Sequence, residues 1–509
     1  MDRLARKQGP FGTVSELIAT AVTNHGPRTA VRLPDREVTY TELGELMSGA
    51  AALLHSCRLI DGDRVAIVGP TELPYIVAYG AAQCCGMATV EAGHRESLEM
   101  LRDMVLRSEA RLVVTEREDL RASLHGRVLS FSFAEFMDRS LESGLDESIE
   151  KDAREVRPAD SSAIVFTSGT TGTPKGVMLS HANFAFVVPV IMDYLELQNT
   201  DRYALVLPLN HTYGKTVMLS TFGAGGTLVV LNNFTDLPAF LGDLSASRST
   251  VLSMVPYHAQ ILLQRGDLSA ADLSSLRAIT FSGNKLVPQT QQLLKKALPG
   301  VEIFSMYGLT ESTTRAAFVP PEQLDRKSES CGKGLPGVTI RIVDDRGRIL
   351  PPKVEGEVLI QGPNIMQGYL GDPELTTATL AGGWLHTGDL GYVDEDGFLY
   401  LSGRKNELIK CAGERISPLE IENVLLAHPM ILEAAVVGEP DPLLGETVVA
   451  HVVPRGDRFD RAAIARFCAT RLSPHKLPRR YVQETELPKT ATGKVKRNLL
   501  RAKSMEERA

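Results

Sequence analysis

Phe166-Thr167-Ser168-Gly169-Thr170-Thr171-Gly172-Thr173-Pro174-Lys175-Gly176 lies between two apolar runs, Ala163 to Phe166 and Val177-Met178-Leu179. Glycines at 169, 172 and 176 permit positive φ and close backbone approach, while the hydroxyls and exposed amides can donate to phosphate oxygens. Lys175 adds the positive charge. The combination suits a polyphosphate. A Walker-type loop has Gly-Lys-Ser/Thr opening a helix. Here Pro174 precedes the lysine and Gly176 follows it, so a helix cannot easily start there. The stretch predicts a phosphate loop between two strands. A hydroxyl-rich surface hairpin shares the composition, but a lone lysine behind a proline in an uncharged loop favours phosphate.

Working outward, Val65-Ala66-Ile67-Val68, Leu112-Val113-Val114-Thr115, Ala204-Leu205-Val206-Leu207 and Thr227-Leu228-Val229-Val230-Leu231 read as buried strands. Helix-like stretches such as Thr41 to Leu54 neighbour them, which is the pattern of α/β layers with parallel sheets. The charged stretch Ser140 to Glu155 reads as a surface connection. Past residue 340, Val343-Asp344-Asp345-Arg346-Gly347 and Val393-Asp394-Glu395-Asp396-Gly397 carry turn chemistry and predict hairpins of a β-rich subdomain. After Gly403-Arg404 the style changes again. A helix from Pro418 to His428, strands at Ala434 to Val437 and Val448 to Val453, and a helix from Arg461 predict a small α+β unit. The fold class is therefore α/β. A large N-terminal domain, 1–404, combines α/β layers with the β-rich subdomain, and a small mobile α+β domain occupies 405–509.

A chain of 509 residues is too long for one compact unit. Its hydrophobic fraction of 43% and charged fraction of 23% are those of a folded globular protein. A net charge of -7 argues against a chain-wide grip on nucleic acid or anionic lipid. Cys57, Cys84, Cys85, Cys331, Cys411 and Cys468 show no metal-ligand spacing and read as reduced thiols. Met1-Asp2-Arg3-Leu4 lacks the apolar core of a secretory signal, and an amphipathic helix is expected from about Thr13. The uncharged run Thr216 to Thr235 is broken by Gly223, Gly225, Gly226, Asn232 and Asn233, which suits a buried turn and strand rather than a membrane span. The expected location is the cytoplasm.

The run Thr167 to Gly176 resembles the signature loop of the adenylate-forming superfamily, which includes acyl-CoA synthetases, aryl-CoA ligases, firefly luciferase and peptide-synthetase adenylation domains. Tyr307-Gly308-Leu309-Thr310-Glu311, Gly356-Glu357-Val358, Thr387-Gly388-Asp389, Gly403-Arg404-Lys405 and Pro488-Lys489-Thr490-Ala491-Thr492-Gly493-Lys494 match the same family in the same order. The resemblance runs from about residue 10 to 500 and is closest in style to stand-alone acyl-CoA or acyl-carrier-protein ligases. It implies ATP and Mg²⁺ as cofactors, a small carboxylic acid as substrate, and coenzyme A or a carrier protein's phosphopantetheine as acceptor.

Residue by residue, it implies that Thr167, Ser168, Gly169, Thr170, Thr171, Gly172 and Lys175 hold phosphate. Tyr307 and Gly308 would offer a face to adenine, and Gly283 and Asn284 would cover the other face. Thr310 would contact a phosphate, Glu311 would ligate magnesium as a hard oxygen donor, and Asp389 and Arg404 would hold ribose or phosphate. Lys494 would stabilise charge that develops as the adenylate forms. Arg404-Lys405-Asn406-Glu407 resembles the hinge of a rotating C-terminal domain, with Lys410 to Gly413 lining the thiol's path. Taken alone, Asp389 and Arg404 are ordinary surface charges near turns, Glu311 is a surface glutamate at a strand-end turn, and Lys494 is a solvated charge or part of a weak anion patch in a basic tail.

Leu207-Pro208-Leu209-Asn210-His211 resembles the segment in which a histidine closes over the carboxylate, which makes His211 a pocket residue. No Asp or Glu occurs between Leu209 and Thr235 to pair with an α-ammonium, so an α-amino acid is disfavoured. Lys215 either meets a polar end of the substrate or snorkels to solvent. The expected reaction makes an acyl-AMP and then an acyl thioester. An ADP-forming kinase or ATPase is disfavoured by the Pro-Lys-Gly order, and a catalytically dead binding module by the presence of Lys175, Glu311, Asp389, Arg404 and Lys494.

Overall fold

Strands that are buried at nearly every position need cover on both faces, and parallel sheets provide it. Arg64–Val68 pairs in parallel with Ala88–Glu91 on one side and with Leu112–Thr115 on the other. The computed structural model describes residues 11–146, 155–167, 174–412, 414–456, 459–489 and 495–506. Among them a seven-stranded sheet runs Gly368–Tyr369, Lys175–Ser180, Ser161–Thr167, Ala88–Glu91, Arg64–Val68, Leu112–Thr115, Leu129–Phe131. The strands flanking the glycine-rich loop are antiparallel, with Thr167 opposite Lys175. That is the strand-to-strand setting expected from the sequence, and no helix opens at the lysine.

A nine-stranded sheet places Glu302–Tyr307, Ala278–Phe281, Val251–Met254, Arg202–Leu205 and Thr227–Val230 side by side in parallel. Helices Val14–His25, Leu73–Cys84, His181–Tyr194 and Thr212–Ala224 lie between the two sheets and share one core with both. Each starts where its sequence allows. Thr13 accepts from the Glu16 amide, and Ser180 and Asn183 form a reciprocal cap. A four-stranded antiparallel sheet, Thr339–Val343, Gly356–Gln361, Leu385–Val393 and Leu399–Arg404, follows. A fourth sheet is made from residues 409–483 alone, with Ile431–Asp441 and Gly445–Pro454 as its long strands.

Some boundaries differ from expectation. The strand expected at Ala204 to Leu207 is Arg202–Leu205, because Pro208 lacks an amide donor and the chain leaves the sheet ahead of it. The run Thr216 to Thr235 was expected as a turn and strand. Its first part belongs instead to the helix Thr212–Ala224, closed by Gly225 in the left-handed region, and the strand begins at Thr227. That helix is buried from Thr212 through Phe222, so no polar face shows its 3.6-residue period. Ser140 is buried and sits in the helix Phe133–Glu142, so the stretch read as a surface connection opens in the core, and residues 147–154 lie outside the described ones. The helix from Pro418 ends at Leu426. Among the described residues, no helix is long and apolar enough to cross a membrane.

His181 joins the first helix to the third of this layer, since its Nδ1 accepts the Val14 amide at 3.3 Å. It is fully buried, and burial drives its imidazole down to about 4 against a smaller upward pull from Asp160. The folded value lies below the unfolded one, so the unfolded chain takes up the proton first. The stability that neutral His181 contributes is complete above about pH 6.5 and is lost as pH falls toward 4, by up to about 3 kcal/mol. His181→Asn, which keeps an acceptor without the titration, should flatten the fall in urea midpoint over that window. An equally steep fall in the variant removes His181 as its source.

Candidate active site

A cleft of about 1730 Å³ opens where the two large sheets, the four-stranded sheet and the C-terminal residues meet. Thr167, Lys175, His211, Gly283, Asn284, Tyr307, Gly308, Thr310, Glu311, Asp389 and Arg404 all line it. These residues thus come together on one surface, whereas Lys410, Cys411 and Ala412, expected on the thiol's path, do not line it, nor does Lys215. Ser168, Gly169, Thr170, Thr171, Gly172, Gly413 and Lys494 lie outside the described residues. Val495 and Lys496, which follow Lys494 in sequence, line the same cleft.

Two clusters organise it. At one, Tyr307 ends a parallel strand and donates its hydroxyl to Asp389 Oδ2 at 2.6 Å, while Arg404 Nε donates to Asp389 Oδ1 at 2.7 Å. Asp389 and Arg404 are direct partners across the antiparallel pair, which fixes their approach. Each carboxylate oxygen keeps a further lone pair for a ligand hydroxyl. Burial, joined by the adjacent Asp389 charge, holds the Tyr307 phenol well above its usual range, so it stays a donor.

At the other cluster, Tyr369 donates to Glu311 Oε1 at 2.9 Å, and Lys175 Nζ stands 5.5 Å from the centre of the same ring. One tyrosine therefore spaces a carboxylate from an ammonium. Lys175 makes no ion pair among the described residues. Arg107 secures the loop's exit by donating to the Pro174 carbonyl at 2.8 Å and covering the Phe166 ring. Gly308 has no alternative, because a Cβ there would collide with the Thr314 carbonyl and the Arg315 amide. Tyr369 and Arg107 were missed from the sequence. Tyr369 follows a glycine in a short edge strand, a weak signal, and Arg107 is one charge on an amphipathic helix.

Among the described residues no group of three or more His, Cys, Asp or Glu could cage a metal ion. Glu311 alone, on the cleft that Lys175 also lines, still fits magnesium, which is typically held by one or two carboxylates together with substrate phosphates. His211 caps the helix Thr212–Ala224 at the cleft wall, and burial lowers its imidazole to about 4. It is neutral near pH 7 and can orient a carboxylate by hydrogen bonding. Cys331 also lines the cleft, and burial pushes its thiol up to about 11.

This architecture and this cleft define an enzyme that binds an adenine nucleotide and a carboxylate together. Residues 18–370 match the family model described as AMP-binding enzyme, and 420–494 match its C-terminal domain, so the chain belongs to the AMP-binding enzyme family. It is 35% identical over 491 residues to an indoleacetate–CoA ligase of Aromatoleum aromaticum, covering 93% of this chain and 94% of that one. It is 31% identical over 506 residues to an oxalate–CoA ligase of Arabidopsis thaliana, covering 96% and 98%. Its fold matches the o-succinylbenzoate CoA synthetase of Bacillus subtilis solved with its acyl-adenylate, with a TM-score of 0.84, 27% identity and coverage of 95% and 97%. The chain is an AMP-forming acid–thiol ligase that uses ATP with magnesium.

Lys215 does neither of the things expected of it. It is fully buried and pairs with Glu91, which also accepts from Thr89 at 2.7 Å, and its Nζ is 4.9 Å from the Tyr79 ring centre. Burial holds the ammonium well below its usual range. The overlooked signal was Glu91, a carboxylate in a strand buried at all four positions, which needs a partner. Lys215→Met leaves that carboxylate uncompensated and should lower stability by about 3–5 kcal/mol. Glu91→Gln in the same chain should restore much of the loss in urea unfolding. The KM for the acid should not move in the double variant, and a shift there would return Lys215 to the substrate.

Proposed function

We propose that this enzyme joins a carboxylic acid to coenzyme A in two steps within one cleft. In the first, a carboxylate oxygen attacks the α-phosphorus of ATP, forming the acyl–O–P bond as the bond to pyrophosphate breaks. In the second, the coenzyme A sulfur attacks the acyl carbon, its proton leaves, and AMP departs. The observation that carries this reading is the pairing of the two clusters across one cleft. Tyr307, Asp389 and Arg404 suit a nucleoside, and Lys175, Tyr369 and Glu311 suit its phosphates.

In this reading Asp389 accepts from the ribose hydroxyls and Arg404 both orients it and meets the phosphate side. Tyr307 and Gly308 support one face of the base, and Gly283 and Asn284 the other. Lys175, Thr167 and the glycine-rich segment hold the polyphosphate, and the Thr310 hydroxyl meets the α-phosphate. Neutral His211 fixes the attacking carboxylate. Magnesium held by Glu311 would supply charge neutralisation on the phosphate oxygens. Lys494 would stabilise the charge that develops at the α-phosphate. In-line attack on phosphorus asks for positioning and charge rather than covalent help.

The proposed domain boundary is Arg404/Lys405, a reading supported by the end of the four-stranded sheet in the short turn Lys405–Glu407 ahead of the fourth sheet. Rotation about Lys405 and Asn406 would bring Lys410 to Gly413 to the thiol's path for the second step. Coenzyme A is favoured as acceptor over a carrier protein's phosphopantetheine because the relatives are named as CoA ligases. A cytoplasmic location agrees with six cysteines that form no disulfide.

With Mg²⁺, ATP and coenzyme A, an acid panel should yield AMP and pyrophosphate in step with thioester. Stoichiometric ADP would overturn the reading. Glu311→Gln keeps size and one hydrogen-bond acceptor but removes the charge. It should lower adenylation on the order of 10²-fold and raise the magnesium concentration needed for half-maximal rate, with circular dichroism unchanged. An unaltered magnesium response removes Glu311 as the ligand.

A further inference from the structure

Behind the wall of the cleft, between the nine-stranded sheet and the helices His181–Tyr194 and Thr212–Ala224, the core is polar where it would be expected to be apolar. Adjacent strands contribute Tyr203, Ser253 and Thr280, with Ser253 and Thr280 direct cross-strand partners. Their hydroxyls connect: Ser253 donates to Tyr203 at 3.0 Å and lies 2.8 Å from Thr280, and Tyr213 donates to the Thr280 carbonyl at 2.9 Å. Arg315 is set among them and is 0% exposed. Its Nε donates to Tyr194 at 3.3 Å and its guanidinium lies 4.4 Å over the Tyr213 ring, but Nη1 and Nη2 have no hydrogen-bond partner. Among the described residues no Asp or Glu forms an ion pair with it. A guanidinium cannot shed its proton in a protein, so the charge stays, and a buried charge needs an anion.

This buried polar cluster adjoins the cleft at three points, one of them beside His211. Gly308, on the cleft surface, has the Arg315 amide directly behind it. Met306, also on that surface, accepts the Tyr194 hydroxyl through its sulfur at 3.2 Å. His211 lines the cleft, and Tyr213, two residues on, is the ring that covers the guanidinium. An apolar acyl chain entering here would leave the two guanidinium nitrogens without a partner, which is unfavourable. A second anionic group would complete the guanidinium.

We propose that Arg315 receives a second carboxylate of the acid substrate, so that the enzyme activates one end of a short dicarboxylic acid while the other end is held against this buried polar cluster. The proposal rests on the adenylation reading above and specifies its substrate class. Two unpaired guanidinium nitrogens match the two oxygens of a carboxylate. Arg315 would not touch the reacting atoms but would fix how far the acid enters and which end is presented to ATP.

The test uses the full-length enzyme in ATP–pyrophosphate exchange with acids in matched pairs: succinate with butyrate, glutarate with pentanoate, and adipate with hexanoate. In each pair a distal methyl replaces a carboxylate. The wild type should favour one dicarboxylate over its partner in kcat/KM on the order of 10²-fold or more, since a site built for a polar group rejects an analogue that leaves it unpaired. Arg315→Met should bring that ratio near or below one, and Arg315→Lys should keep part of it. The ratio is internal to each preparation, so partial unfolding of a variant does not move it. If Arg315→Met does not fold, Arg315→Lys carries the measurement. Wild-type exchange that prefers the monocarboxylates, or a ratio unchanged by substitution, overturns the role of Arg315 and leaves adenylation standing. ADP release with no exchange for any acid overturns both.

Discussion

Asp389, gripped by the Tyr307 hydroxyl and the Arg404 guanidinium, is the contact on which the arrangement of the cleft depends. Tyr307 belongs to the nine-stranded sheet, while Asp389 and Arg404 face each other in the four-stranded one. A single carboxylate therefore fixes the meeting of two sheets formed far apart in sequence. The charge order continues beyond it. Arg497, near the end of the chain, pairs with both Glu407 in the connecting turn and Glu422 in the helix Pro418–Leu426. The last sheet is thereby tied to the same line of alternating charges that reaches Asp389 in the cleft. Such partly buried pairs have value mainly in fixing geometry, because desolvation offsets much of their attraction.

Much of the fold was legible because its signals are local. Short β-branched runs marked the parallel strands, acidic turns marked the hairpin at Asp394 to Gly397, and the order Pro174-Lys175-Gly176 ruled out a helix at the phosphate loop. The structure agrees at each place, with Thr167 opposite Lys175 and the strands at Arg64–Val68 and Leu112–Thr115. The candidate site was legible to a similar degree, because its residues sit at the ends of strands and in the turns after them, where sequence pattern is strongest.

The rest was hidden by burial. The helix Thr212–Ala224 has no polar face, so its period cannot be read, and a glycine-containing uncharged run looks like a turn. Lys215 and Arg315 are long cations that a sequence reader sends to the surface, since such side chains are almost never fully buried without a partner. Their positions are set by Glu91 in one case and by a group of hydroxyls from three strands and two helices in the other. Glu91 is 124 residues from Lys215 and Tyr194 is 121 from Arg315, and no local pattern encodes either meeting. Tyr369 is a similar case, joining Lys175 and Glu311 across separate elements.

An acyl-adenylate is an acylating agent toward any thiolate it meets, including the enzyme's own. Cys331 stands on the cleft surface, yet with its thiol pushed up to about 11 only about one molecule in 10⁴ carries the thiolate at pH 7. Cys84 and Cys85 are buried as well, and Cys84 is raised further, to about 12. Low dielectric surroundings thus make the resident sulfur unreactive without excluding it. The incoming thiol, arriving solvated, retains its ordinary acidity and with it a kinetic advantage. Self-acylation is suppressed by the same burial that builds the core.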